Sequence, residues 1–445
     1  MLEMKGFIPL NFERKSGAEQ WRSVSRFTEK MSRRRSVRAF SDEDILEETL
    51  EKVIQAAGTS PSGANQQPWQ FVLIKDPSVK KAIREASDRE TTTQNGEGSP
   101  RHKSLDYLEE APYLIALYRE NYGLKQDESG KEQKVKHYYA LESAAICAGF
   151  LLTAIEHAGL DCVVHQPVQA AQDILNRPKN EAMIALFAVG KAKSDYQAPT
   201  LARKALSEVI LGDINMPEGT TQAPEFQSQP HWTPQEQLQQ ATDYYETIRR
   251  RRNIRDFSTE DVDIKLVEKA LEVAATTPSA GNVQPYRFAV VSQPSLKRQI
   301  REQAEIEEKK LYEERMSDEW REALSPLGTN WQKPHLTDAP HLIIAFKVEE
   351  DRAQQAYDDG TKVDKRGPEA MTAAGMAVGV LLSALHHAGV CTLTHTPSPM
   401  AFLRDLLGRP KNEMPIVVLP VGYPTEDCHV PGISKKPLTD ILSKI

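Results

Sequence analysis

Residues 33–40 read RRRSVRAF, and residues 250–257 read RRRNIRDF. Beyond each lies a second matched stretch, SPSGANQQPW at 60–69 and TPSAGNVQPY at 277–286. Both pairs are 217 positions apart, so two motifs recur in one register. A third pair, NRPKNEAMIALFAVG (176–190) and GRPKNEMPIVVLPVG (408–422), is 232 positions apart, so the second copy carries fifteen more residues before its last strand. The period far exceeds the roughly 20–50 residues of solenoid repeats. Each copy is domain-sized. The chain is a tandem duplication.

Each copy predicts the same order of elements. An opening helix (AEQWRSVSRFTEKMSRRRS; TPQEQLQQATDYYETIRRRRN) runs into the basic turn. An amphipathic helix follows (EDILEETLEKVIQAAG; EDVDIKLVEKALEVAAT), with apolar residues at helical spacing. The Pro-Ser loop then leads into a strand (WQFVLIK; YRFAVVS), and a charged helical region into another (YLIALY; HLIIAF). A long Ala/Leu-rich helix ends at Gly159 or Gly389, and a final strand closes the copy. Mixed helices and strands give an α+β layer architecture. The stretch INMPEGTTQAPEFQSQPHWTP is rich in Pro, Gln, Thr and Ser and lacks apolar periodicity. The expected domains are therefore 1–213 and 235–445, joined by a linker at 214–234.

At 445 residues, with 39% hydrophobic and 27% charged, the chain fits a globular protein of more than one core. Its formal net charge of −7 offers no overall basic field, so no nucleic-acid partner is expected. Four cysteines (Cys147, Cys162, Cys391, Cys428) form no C-x-x-C pair, which suits a reducing cytoplasm. The N-terminus lacks a signal-peptide core. The longest apolar run, around Ala144–Ile155, reads as a buried helix rather than a membrane span.

The basic turns group several guanidinium ions within about one turn of chain. Arginine suits phosphate because its planar fork donates two bonds at once and stays charged. A single short basic run fits a helix C-terminus or a solvated patch better. Here Arg34 precedes Ser60, and Arg251 precedes Thr277, by the same 26 residues, which turns the balance towards an anion site. The loops combine small residues with Pro and Asn, so backbone N–H groups can approach a flat ligand. The same residues also make an ordinary helix-to-strand connection. No G-x-G-x-x-G follows a first strand and no Walker lysine is present.

Together the basic turn, the P-S-x-x-N-x-Q-P-aromatic loop and the closing strand resemble the nitroreductase superfamily of FMN enzymes, and within it the iodotyrosine deiodinase group. The resemblance covers nearly the whole chain, once per copy. It implies two nitroreductase-type domains fused into an intramolecular pseudo-dimer, working as a monomer with two FMN sites. It assigns phosphate and flavin contacts to Arg34, Arg35, Ser36, Arg38 and Arg203, and to Arg251, Arg252, Asn253, Arg255 and Lys435. Pro61, Ser62 and Gly63, and likewise Pro278, Ser279 and Ala280, should reach the flavin held by the other half. Ala64 and Gly281 fall where a backbone N–H bonds a substrate phenolate.

The copies differ where the deiodinase group is most distinctive. A Thr-x-Thr-Pro segment beside the flavin, which favours one-electron steps, appears as Thr394-His395-Thr396-Pro397 and makes Thr394 and Thr396 the catalytic candidates. The first copy reads Val164-His165-Gln166-Pro167 there. In the second copy, Glu308, Tyr312 and Lys333 match the lid that grips the amino-acid end of halotyrosine: a carboxylate for ammonium, an aromatic wall, and a lysine for carboxylate. By spacing alone this segment reads as an exposed helix with Glu/Lys pairs. The first copy's stretch, RETTTQNGEGSPRHKSLDYLEEAP, lacks the Glu/Tyr pair, and its nearest lysine, Lys103, is out of register. It keeps His137-Tyr138-Tyr139 before its long helix, where the second copy has Gly367-Pro368-Glu369.

The reading these residues support is an FMN-dependent reductive dehalogenase of a halogenated tyrosine or related halophenol. Electrons would come from NAD(P)H visiting the flavin or from a separate reductase. Two others fit the same motifs: a two-electron nitroreductase or quinone reductase, and a flavin-binding sensor or storage protein without turnover.

Overall fold

The computed structural model describes residues 6–95, 105–126, 130–199, 202–214, 216, 221–349 and 368–445. It divides into two compact units that do not follow the sequence halves. One unit comprises Met1–Ser32, Ala202–Gln222 and Arg250–Ser434; the other comprises Arg33–Leu201, Ala223–Arg249 and Lys435–Ile445. Each core is thus built mainly from one copy and finished by segments of the other.

The unit built on the second copy holds a five-stranded sheet in the order Cys391–Thr392, Glu413–Gly422, His341–Val348, Tyr286–Val291, Ile210–Gly212. Its first four strands run antiparallel, and the edge strand Ile210–Gly212 from the first copy's tail pairs parallel with Phe288–Val290. The other unit repeats the plan with Leu442–Lys444, Trp69–Ile74, Tyr113–Glu120, Glu181–Gly190 and Asp161–His165. Here the chain's C-terminal strand pairs parallel with Phe71–Leu73. A one-residue slip in register recurs at matched places, after Ala345 and after Leu117. Such a bulge bends the strand locally and is carried faithfully through a duplication.

Each sheet rests on an Ala/Leu-rich helix, Ala140–His157 or Pro368–His387. Both are long and apolar enough to cross a membrane, yet most of each is buried inside its unit. A helix apolar on all sides needs protein around it, and the amphipathic helices Glu47–Gly58 and Ile264–Ala274 supply part of that cover. Helix Pro234–Ile248 starts where its sequence dictates: Thr233 Oγ1 accepts from Glu236 N at 3.3 Å, and Glu236 Oε2 accepts from Thr233 N at 2.7 Å.

The 214–234 stretch differs from a plain linker. Arg35 donates to Pro224 O, Phe226 meets Tyr196 edge-on at 5.5 Å, and Gln229 Nε2 donates to Glu156 Oε1 at 2.8 Å. Two aromatics among its polar residues give it enough apolar surface to dock on its unit.

Candidate functional site

In the unit containing the second copy, the basic turn is tied to the Thr-x-Thr segment. Asn253 bridges Thr392 as a parallel pair, and Ile254 N donates to Thr392 O at 3.2 Å. Asn253 Oδ1 accepts from Arg251 Nη1 at 3.1 Å and from Thr394 Oγ1 at 3.3 Å. Arg252 donates to Pro431 O. The first copy repeats the backbone pairing between Ser36 and Cys162, while Arg38 sits over the Tyr107 ring at 6.0 Å. Burial lowers the pKa of Arg35, with neighbouring Arg34 adding to it. Burial likewise lowers Arg252 and Arg255, and drags Arg251, with Arg252 beside it, down to about 10. Cations concentrated and buried in this way favour a bound anion, and a dianionic phosphate relieves the penalty directly. The donor set fits the phosphate of FMN.

Each Pro-Ser loop forms a short 3-10 turn with a left-handed centre, Ala64 at φ 48° and Gly281 at φ 56°. Ser62 Oγ accepts from Gln67 N at 2.9 Å, and Ser279 Oγ from Gln284 N at 2.8 Å. Each hydroxyl keeps a proton to donate. The turns close through Asn65 N to Ser62 O and Asn282 N to Ser279 O, with Ala64 and Gly281 at their centres. The copies' tails clamp these loops. Lys435 Nζ donates to Ser60 O at 2.6 Å, and Lys436 N to Gln67 Oε1 at 2.8 Å. In the same way Asn282 Nδ2 donates to Ala202 O and Lys204 N to Gln284 Oε1, both at 2.8 Å, which places Arg203 beside the Pro278–Ala280 loop. The structure thus brings Lys435 together with Pro61–Gly63, and Arg203 together with Pro278–Ala280.

The lid of the second copy is built from helix Pro294–Lys310, a π-turn at Leu311–Arg315 and helix Asp318–Leu324. Lys333 Nζ lies 3.2 Å from Glu308 Oε2, with the two side chains 3% and 6% exposed. Lys333 also donates to Asn330 O and stands 5.4 Å from the Tyr312 ring centre. Its backbone N–H donates to Glu305 Oε1 at 2.7 Å, which fixes the loop to the helix. Burial raises the Glu308 pKa and lowers that of Lys333, each against the pull of its partner. Arg255 acts electrostatically on Tyr312, Lys333 and His395. Lid, basic turn and Thr-x-Thr segment therefore share one unit. Glu308, Tyr312 and Lys333 are not the exposed charged face that spacing alone suggests.

The nitroreductase family profile matches residues 31–191 and 248–423, once in each copy. The chain belongs to the nitroreductase family. It is 43% identical over 203 residues to an iodotyrosine deiodinase of Haliscomenobacter hydrossis, covering 46% of this chain and 89% of that protein. It is 38% identical over 217 residues to an iodotyrosine deiodinase of Hydra vulgaris, covering 48% and 76%. Among solved structures, an iodotyrosine deiodinase bound to FMN and 3-iodo-L-tyrosine shares 30% identity, at a TM-score of 0.36, covering 43% of this chain and 93% of that one.

Within this duplicated nitroreductase chain the copies also differ around one histidine. In the first, His165 is held on both nitrogens, by Ser87 Oγ at 2.8 Å and Tyr107 OH at 2.7 Å. In the second, His395 meets His335 edge-on at 5.1 Å, and neither Nε2 has a hydrogen-bond partner among the described residues. Alternation along the segment leaves Thr394 and Thr396 half-buried on the face opposite His395. The histidine pair escaped the sequence reading, since nothing in the spacing of His335 and His395 links them. Of the first copy's lid stretch, residues 96–104, with Lys103, lie outside the described residues, as does Gly367 in the second copy.

Those histidines predict an acid response. Burial lowers His165 to about 4, His335 to about 3, His387 to about 4, and His395 well below its ordinary value. A folded pKa below the unfolded value contributes stability that is present above about pH 6.5 and lost as pH falls from there. Each histidine removes up to about 1.4 kcal/mol per pH unit in that window. Asp161, raised to about 6 by burial, acts oppositely: its contribution is present at low pH and lost as pH rises through about 6. Asp256, Glu268 and Glu308, also raised by burial, act in the same sense as Asp161, but their shifts are smaller than those of the four histidines, which therefore prevail. The melting temperature should fall steadily from pH 6.5 to 4.5, and a flat profile there would contradict these assignments.

Proposed function

We propose that the chain is an FMN-dependent reductive dehalogenase of a halogenated tyrosine or a related halophenol. The observation that carries the reading is the Glu308–Lys333 pair, buried beside Tyr312 in the unit that also holds Arg255 and Thr396. Buried opposite charges 3.2 Å apart can exchange each other for the two ends of a zwitterion. Lys333 takes the carboxylate, Glu308 takes the ammonium, and Tyr312 covers the ring. Backbone N–H at Ala64 or Gly281 donates to the phenolate oxygen and favours its ionised form. FMN, when bound and reduced, would supply the two electrons that, with a proton from solvent, replace the carbon–halogen bond with carbon–hydrogen and release halide. Thr396 offers a hydroxyl to the ring edge, while Arg251, Arg252 and Arg255 anchor the phosphate. The relatives named iodotyrosine deiodinase support this reading.

A two-electron nitroreductase or quinone reductase is the second reading, favoured by the first copy, where Val164 and Gln166 replace the two threonines. Electrons come from NAD(P)H or a separate reductase, and the chain acts as a cytoplasmic monomer containing both copies; all four cysteines are unpaired, in keeping with a reducing compartment. The test is anaerobic: chemically reduced protein is mixed with 3-iodotyrosine, 2-iodophenol and a nitroarene. Tyrosine and iodide are the expected products from the first. Nitroarene reduction without halide release would overturn the dehalogenase reading.

A further inference from the structure

The N-terminal strand makes a contact that neither the fold nor the basic turn requires. Strand Phe7–Pro9 pairs antiparallel with His429–Pro431, with Phe7 opposite Pro431. The pairing is extended at both ends, by Leu10 N to Cys428 O at 2.9 Å and Gly432 N to Gly6 O at 2.6 Å. Further along, Arg14 forks onto the Glu260 carboxylate and stacks on Tyr423, and Lys15 Nζ donates to His387 O at 3.0 Å. The arm is therefore anchored along its length to a single unit.

From this anchored strand the Phe7 ring lies over Gly328. A β-carbon built on Gly328 would stand 2.7 Å from Phe7 Cζ and 3.1 Å from Cε2, too close for any real side chain. Gly328, at φ 58°, ends the 3-10 turn Ser325–Leu327 and is otherwise exposed. The residues that follow it are the ones that shape the lid. Thr329 lies beside the Tyr312 side chain, and Asn330 O accepts from Lys333 Nζ. On its other side the strap's partner Pro431 receives Arg252 of the basic turn. The strand thus spans from the phosphate-side arginine to the substrate-side turn.

We propose that this N-terminal strand is a strap that presets the lid, with Phe7 as the positioning residue that holds the Gly328–Lys333 turn in its gripping geometry. Phe7 touches neither substrate nor flavin and acts through Tyr312 and Lys333. The inference rests on the proposed function for the substrate it affects, but not for the structural effect itself. A lid held before substrate arrives loses less freedom on binding, so the strap should lower KM for substrates that use Lys333.

The experiment compares wild type, Phe7→Ala and Phe7→Leu as the full flavin-loaded chain. Phe7→Ala is expected to raise KM for 3-iodotyrosine on the order of ten-fold, with kcat, FMN content and 2-iodophenol turnover unchanged. Amide hydrogen exchange across residues 311–333 should speed up in Phe7→Ala, stay unchanged in strand 286–291, and return towards wild type in Phe7→Leu. Unchanged lid exchange in Phe7→Ala overturns the strap. So does equal loss for iodotyrosine and iodophenol, or loss of flavin together with KM, since either would make the strand a general brace. If wild type releases no iodide, the dehalogenase reading fails while the exchange comparison still decides the strap.

Discussion

Arg251→Ala combined with Arg255→Ala should take the purified chain from two FMN per polypeptide to one. Arg34→Ala combined with Arg38→Ala should remove the other. Arg251 is buried to 8% exposure and burial depresses its pKa to about 10, so its charge is expensive unless an anion faces it. Arg255 is likewise lowered by burial, with Tyr312 only partly offsetting it. A hydrogen bond to a charged group contributes about 1.5–3 kcal/mol, so two such losses weaken binding by roughly two to four orders of magnitude. The flavin-free protein should not be destabilised to match, because each substitution also removes a desolvated cation. Flavin released on denaturation, measured against chain concentration, gives the count. An unchanged count in either variant would make that basic turn a structural remnant.

The duplication, the α+β order and the membership of each half in one family were legible because motifs recurred at fixed distance and periodicity distinguished helix from strand. RRRSVR and RRRNIR were found by repetition; the structure buries Arg34, Arg35 and Arg251, half-buries Arg252 and Arg255, and leaves Arg33, Arg38 and Arg250 exposed. What stayed hidden depends on contacts between residues far apart in sequence. His335 and His395 pair across a strand end and a short helix, with no local pattern to join them. Ser87, Tyr107 and His165 form the first copy's counterpart from three separate elements. The exchange of segments between units was equally invisible. Ile210–Gly212 and Leu442–Lys444 are three-residue strands, too short for alternation to signal a face, and a parallel edge pairing leaves no turn between partners to betray it. Residues 223–234 of the linker make more contact than their polar composition suggests, because the Phe226 ring meets Tyr196 and the Trp232 ring packs against Gly159. In the lid, spacing alone pointed to solvent, and only the match to the deiodinase group pointed inward. Glu and Lys at helical spacing normally mark solvent, yet Glu308 and Lys333 are drawn inward because each satisfies the other.

That mutual burial sets the largest effect expected on substrate selection. Lys333→Ala should raise KM for 3-iodotyrosine at least thirty-fold, since removing one partner of a desolvated charged bond costs about 2–5 kcal/mol in binding. The effect on 2-iodophenol, which carries no zwitterion, should be small by comparison. Two consequences act in the same direction on Glu308 in the free enzyme. Glu308 loses the neighbour that lowers its pKa, while burial, already the dominant cause, continues to raise it. The carboxyl is therefore driven further towards its neutral form, and a neutral acid binds an ammonium poorly, so the variant loses both ends of the grip at once. Glu308→Gln separates them. It keeps the volume and removes only the ammonium partner, and Lys333 then loses the acid that raises its pKa against burial. If the pair grips the zwitterion, both variants raise KM for iodotyrosine, and the double variant costs less than the sum because the two residues are coupled. Strict additivity would mean that the pair does not act on substrate as a unit. Equal KM changes for iodotyrosine and iodophenol on Lys333→Ala would remove the zwitterion grip altogether and leave the lid as a cover over the ring.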